Sequence, residues 1–141
     1  GKKLEYTLIQ APRRDVLIQA EERTGKNTGL HLNIAINYGG RAEIVRAARM
    51  LAQKAVSGEI TPEDIDENAF AAALYTHDLP DVDLLIRTSG EMRQSNFLLY
   101  QCAYAEFVFP TVLWPDFSLA DYHAALEAFA ARDRRFGGRK Q

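Results

Sequence analysis

Between Leu30 and Phe129 the apolar residues repeatedly change their period, and that alternation most restricts what the chain can fold into. Leu30, Leu32, Ile34 and Ile36 recur at every second position, which places them on one face of a strand over residues 30–38. Gly39-Gly40 closes it. Ile44, Val45, Ala48, Leu51, Ala52 and Ala55 then follow at helical spacing, with Gly58 where a helix C-terminus favours glycine. Residues 83–88 read as a buried strand, 96–104 as a helix and 105–109 as another short strand. Ser118 caps a last helix whose stripe is Tyr122, Leu126, Phe129 and Ala130, and Gly137 stops it. Strands that alternate with helices imply an α/β fold, a parallel sheet flanked by helices.

Shorter signals fill the gaps. Residues 4–9 alternate weakly, as a strand would. Pro12 suits the first turn of a helix running to about Arg23, with Val16, Leu17 and Ala20 on its apolar side. Lys26-Asn27-Thr28-Gly29 is a turn. Thr61-Pro62 and Asp66 each start a helix, the second running through Leu74.

In parallel α/β sheets ligands bind beyond the carboxyl ends of the strands. That singles out Arg87-Thr88-Ser89-Gly90-Glu91-Met92-Arg93-Gln94-Ser95-Asn96-Phe97, which follows a strand and precedes the expected helix. Two arginines flank a Ser-Gly turn. Each guanidinium is a rigid, permanently charged fork that matches phosphate oxygens. A helix start would add N–H donors and a positive dipole end, and Ser95 one hydroxyl. On spacing alone, a solvated surface loop with Arg87 paired to Glu91 fits as well. The net charge of −2 gives no general attraction to nucleic acid, so an anion site must come from such local clustering.

Several ordered motifs carry a family resemblance. They are Leu32-Asn33-Ile34-Ala35 with Asn37-Tyr38-Gly39-Gly40-Arg41, and Asp83-Leu84-Leu85-Ile86-Arg87-Thr88-Ser89-Gly90-Glu91. Arg93-Gln94-Ser95-Asn96-Phe97-Leu98-Leu99, Ala103-Tyr104-Ala105-Glu106, Leu113-Trp114-Pro115-Asp116-Phe117 and Arg134-Arg135-Phe136-Gly137-Gly138 follow in order. From Asn27 to Gly138 the sequence resembles the cis-prenyltransferase family, undecaprenyl diphosphate synthases of bacteria in particular. Residues before Asn27 match poorly.

The resemblance implies an enzyme that extends an allylic diphosphate, usually farnesyl diphosphate, with isopentenyl diphosphate units through new cis double bonds. The product would be undecaprenyl diphosphate, the lipid carrier of cell-wall peptidoglycan synthesis. Arg87, Arg93 and Ser95 fall on positions that hold isopentenyl diphosphate, with Gln94 between them. Glu106 falls on a Mg2+ ligand position, and a hard carboxylate suits that ion. Arg135 and Gly137 match a motif placed near the neighbouring subunit's site, which implies a homodimer. Leu30 would border the tunnel for the growing prenyl chain, so that Leu30→Ala lengthens the products. Met92 stands where many relatives carry His. The family's Asp-Gly-Asn-Gly-Arg-Trp and Ser-Ser-Glu-Asn-Trp segments have no counterpart in these 141 residues. The expectation is therefore the C-terminal portion of a single domain, residues 1–141, lacking the N-terminal strands and inactive alone. The rival is a non-catalytic binding or dimerisation fragment.

Other groups carry less. His31, His77 and His123 lie far apart and show no zinc spacing. The lone Cys102 forms no internal disulfide and reads as a small core residue. No apolar run reaches the roughly 20 residues of a membrane span. The expected location is cytoplasmic, with at most peripheral membrane contact through the basic cluster at Arg132, Arg134, Arg135, Arg139 and Lys140.

Overall fold

The computed structural model describes residues 11–133. The expected strand at 4–9, and Arg135 and Gly137, lie outside them. Six regular elements follow in order: α1 (Ala11–Thr24), α2 (Gly40–Ser57), α3 (Glu67–Ala72), β1 (Leu84–Ile86), β2 (Glu106–Val108) and α4 (Leu119–Ala130). Short 3-10 turns occupy Pro62–Asp64 and Trp114–Asp116. β1 and β2 pair in parallel, with Leu84 opposite Glu106, Leu85 opposite Phe107 and Ile86 opposite Val108. α4 packs on β2, and α2 packs on α3. The parallel α/β expectation therefore holds.

The boundaries have local causes. Gly58 ends α2 in the left-handed conformation (φ 78°), and its N–H and that of Glu59 return to the last turn. Thr61 and Asp64 form a reciprocal capping box, with Pro62 in the first turn. Asp66 caps α3 by accepting from the Ala69 N–H at 2.7 Å. Ser118 and Asp121 repeat the capping box at α4. Each of these starts is where the sequence places it. α4 ends at Ala130, before the expected stop at Gly137.

A small core lies between α2 and α3: Ala47, Leu51, Ala73 and Leu74, with Met50, Ile60, Phe70 and Tyr100 packed against it. This corrects the expected stripe on α2. The buried positions are Gly40, Glu43, Ala47 and Leu51, whereas Val45 is 55 % exposed and Ala48 and Ala52 face outward. The face is turned because Glu43 is buried with hydrogen-bond partners, so a charged residue belongs to the inner side. On α1, Val16 and Ala20 of the expected apolar side are exposed.

Two expected elements do not form. Residues 30–38 are irregular, and Leu30 is 90 % exposed. Alternation defines a face, but backbone pairing makes a strand, and no described strand pairs with this segment. Residues 96–104 are a series of turns instead of a helix. Ser95 (φ 53°), Asn96 (φ 64°) and Leu98 (φ 46°) are left-handed, which interrupts a right-handed helix at its start.

Candidate functional site

The candidate site is the loop leaving β1. Arg87 continues the ladder, its N–H donating to Val108 O at 3.0 Å. Ser89 and Gly90 turn the chain with positive φ, 72° and 66°. Their N–H groups donate to Val112 O at 2.8 Å and Pro110 O at 2.9 Å. The Ser-Gly turn is thus tied to the segment that follows β2, and those two donors are already used. The absence of a helix after Asn96 also removes the expected dipole end. What remains for an anion is the side chains.

Arg87 is half-buried, and its Nη1 donates to Ser95 Oγ at 2.6 Å and to Arg93 O. One guanidinium therefore gathers both ends of the loop while its other N–H groups make no hydrogen bond among the described residues. Arg93 pairs with Glu91, not Arg87 with Glu91 as the solvated-loop alternative had it. The pair is exposed, so it contributes little and an anion can displace the carboxylate. Gln94 turns back into the loop, donating to Phe97 O at 2.7 Å and Leu98 O at 3.1 Å. It shapes the cradle without facing it.

Glu106 sits elsewhere. It opens β2 opposite Leu84, at the amino end of the sheet, whereas Arg87 leaves at the carboxyl end. The offset is three residues of strand, about 10 Å. Its Oε2 accepts from Arg132 Nη1 at 2.6 Å, just past α4. No group of three or more His, Cys, Asp or Glu converges as a metal site among the described residues.

The sequence reading missed a buried anchor under the loop. Glu43 is 1 % exposed. Its Oε2 accepts from Tyr38 Oη at 2.5 Å and Gln101 Nε2 at 3.2 Å, and its Oε1 from Tyr75 N–H at 2.7 Å. Burial, and then the hydrogen bond and negative charge of Glu43, push the Tyr38 hydroxyl far above its ordinary range, so it stays a donor. The Tyr38 ring meets Phe97 edge-on, centroids 5.6 Å apart. The available signal was one acidic residue at helical spacing from Ala47 and Leu51. Burial raises the Cys102 thiol despite a bond from Gln94, which leaves it a protonated core group and not a nucleophile.

The undecaprenyl diphosphate synthase family model matches residues 5–137. The chain belongs to this family. The match begins well before Asn27, which corrects the expectation that the first residues match poorly. An isoprenyl transferase of Zymomonas mobilis is 49 % identical over 134 residues, covering 95 % of this chain and 54 % of the relative. A farnesyl-diphosphate-specific ditrans,polycis-undecaprenyl-diphosphate synthase of Salmonella paratyphi A is 54 % identical over 120 residues, covering 85 % and 48 %. The crystal structure of lavandulyl diphosphate synthase from Lavandula x intermedia, in complex with dimethylallyl diphosphate, superposes with a TM-score of 0.85 at 44 % identity, covering 88 % and 53 %. The chain spans about half the length of these relatives. The family acts as prenyltransferases, and no helix among the described residues is long and apolar enough to cross a membrane.

Proposed function

We propose that residues 1–141 are the C-terminal portion of a single cis-prenyltransferase domain, and that the loop after β1 holds isopentenyl diphosphate. The observation that carries this reading is the Arg87 guanidinium, anchored to Ser95 Oγ at the carboxyl end of a parallel strand with N–H groups to spare. Arg93, held only by an exposed pair with Glu91, adds a second cation. Gln94 braces the loop. The diphosphate is the recognition handle, and two guanidinium groups offset its charge.

In the whole protein, isopentenyl diphosphate attacks C1 of an allylic diphosphate, farnesyl diphosphate by similarity to the Salmonella relative. A carbon–carbon bond forms, the C1–oxygen bond breaks, diphosphate leaves with the bonding pair, and one proton leaves isopentenyl C2. Repetition gives undecaprenyl diphosphate, the lipid carrier of peptidoglycan synthesis. Arg87, Arg93 and Ser95 orient the nucleophile and neutralise its diphosphate. No described residue is assigned as the proton acceptor.

Mg2+ accepts one or two protein carboxylates with waters and substrate phosphates completing its shell. Glu106 fits as one such ligand, and Arg132 must then release it. Held there, the ion would supply charge neutralisation to a leaving diphosphate. By the family resemblance the whole protein is a homodimer in which Arg135 and Gly137 approach the neighbouring subunit's site. The protein works in the cytoplasm, with at most peripheral membrane contact and no nucleic acid partner. Leu30 borders the prenyl tunnel of the whole protein.

The engagement of the Glu106 carboxylate by Arg132 favours a second reading, a non-catalytic binding or dimerisation fragment of such an enzyme. Two measurements test the site and the partial-domain reading. Isopentenyl diphosphate should bind the chain in calorimetric titration, and Arg87→Ala should weaken it roughly tenfold to a hundredfold, as loss of a charge-assisted contact does. Arg93→Ala should weaken it less, and Arg87→Lys should recover only part, because an ammonium lacks the fork. Equal affinity in Arg87→Ala removes the assignment. A radiolabelled condensation assay with farnesyl diphosphate and Mg2+ should give no product from this chain alone. Product would overturn the partial-domain reading.

A further inference from the structure

We infer that Asn96 is a positioning residue that clasps the first turn of α2 and so sets the Arg87–Ser95 cradle, an inference that rests on the diphosphate reading above. A helix N-terminus leaves several backbone N–H groups without partners. At α2 the N-cap residue is Gly39, which has no side chain to accept from them. Asn96, 55 residues downstream of Arg41, supplies the acceptors. Its backbone O accepts from the Gly40 N–H at 2.7 Å, and its Oδ1 from the Arg41 N–H at 2.8 Å. It is a helix cap delivered from a distant loop.

The cap needs the loop in an unusual shape. Ser95, Asn96 and Leu98 are all left-handed, and no regular element holds them there. Asn tolerates that conformation better than most residues. The neighbour it fixes is Ser95, whose Oγ receives Arg87 Nη1. The chain of contact runs from α2, through Asn96, to Ser95 and Arg87. Gly39 and Gly40 allow the close approach. A Cβ on Gly39 would lie 3.0 Å from Asn96 Nδ2, and one on Gly40 would lie 3.0 Å from Leu99 Cγ and 3.2 Å from Asn96 O. Glu43, a turn further along α2, secures the same loop through Gln101 and, by way of Tyr38, through Phe97.

The test pairs calorimetric titration of isopentenyl diphosphate with hydrogen exchange at the Arg41 amide. Asn96→Gly keeps the left-handed backbone and the carbonyl and removes only the side-chain amide. It should speed Arg41 exchange and weaken isopentenyl diphosphate roughly tenfold, the scale of one lost cap amplified through the cradle. Asn96→Asp restores the acceptor and should recover slow exchange and part of the affinity, its negative charge beside the cradle keeping the recovery partial. In a Ser95→Ala background the loss from Asn96→Gly should shrink, because both act through one contact. Gly40→Ala pushes the clasp apart from the helix side and should give the same loss should Asn96→Gly be too unstable to titrate. Fast Arg41 exchange with unchanged affinity, or losses that simply add with Ser95→Ala, overturns the role of Asn96. An unaltered chain that binds neither isopentenyl diphosphate nor pyrophosphate sinks the diphosphate reading, and this role with it.

Discussion

Residues 30–38 and the strand residues 84–86 are both rich in apolar side chains, yet only the second segment is built into the fold. Leu85 is 8 % exposed in a paired strand, while Leu30, Leu32, Ile34 and Ile36 are 90, 67, 47 and 40 % exposed. Intrinsic preference does not explain this, since leucine and isoleucine suited to strands occur in both. The difference is the neighbour. β1 has β2 beside it, and the loop beyond is tied at Val108, Pro110 and Val112. The first segment is anchored at its end, where Tyr38 donates to Glu43. A period specifies which side chains share a face, and a partner decides whether the backbone becomes a strand.

The sharpest way to break the contrast is to remove that anchor. Glu43→Ala leaves the Tyr38 hydroxyl, the Tyr75 N–H and the Gln101 amide without an acceptor in a buried place. Each orphaned donor costs about 1–3 kcal/mol, so the total should be the largest of any single change considered. Urea denaturation measures it, and a loss below about 1 kcal/mol would show that Glu43 is not the tie. Leu85→Ala comes next. Deleting a buried leucine side chain from β1 should cost about 2–5 kcal/mol.

What was legible in the sequence follows the same division. Caps and breakers act within a few residues, so Ser118, Thr61, Asp66 and Gly58 could be placed without knowing the rest of the fold. The phosphate-suited loop was visible because two arginines and a serine stand close in sequence. Its real supports were not. Asn96 reaches Arg41 across 55 positions, and Gly40 beside it, and Glu43 is buried by partners at 38, 75 and 101. Those bonds depend on tertiary placement, which no local period encodes. The failed helix at 96–104 has the same origin: Asn96 adopts a left-handed φ in which it caps α2.

The start of α4, which packs on β2, gives a smaller effect with a definite pH sign. The Ser118 hydroxyl and N–H both donate to Asp121 Oδ2, at 2.5 and 2.8 Å. These bonds hold the Asp121 carboxyl below the usual carboxylate range. A carboxyl depressed in the folded state stabilises above its unfolded pKa of roughly 4 and loses that contribution as pH falls through the folded value. Ser118→Ala should cost about 1 kcal/mol near neutrality. The gap between Ser118→Ala and the unaltered chain should narrow in melts below roughly pH 4. A gap that is constant down to pH 2 would mean that the carboxylate plays no part in the cap.

The smallest expected effect is the most diagnostic of the comparison. Leu30→Ala removes the same atoms as Leu85→Ala, from a side chain that is 90 % exposed instead of 8 %. Little apolar area leaves water when this chain folds around Leu30, so there is little burial to lose. The substitution should shift stability by no more than about 0.5 kcal/mol. The two leucines thus form a matched pair in which chemistry is constant and only the neighbour differs. Denaturation at two protein concentrations completes the test. If Leu30→Ala costs more than about 1 kcal/mol at both, residues 30–38 pair within the chain and the contrast fails. If the cost appears only at the higher concentration, the apolar face is covered by a second copy, which places the missing neighbour in another molecule.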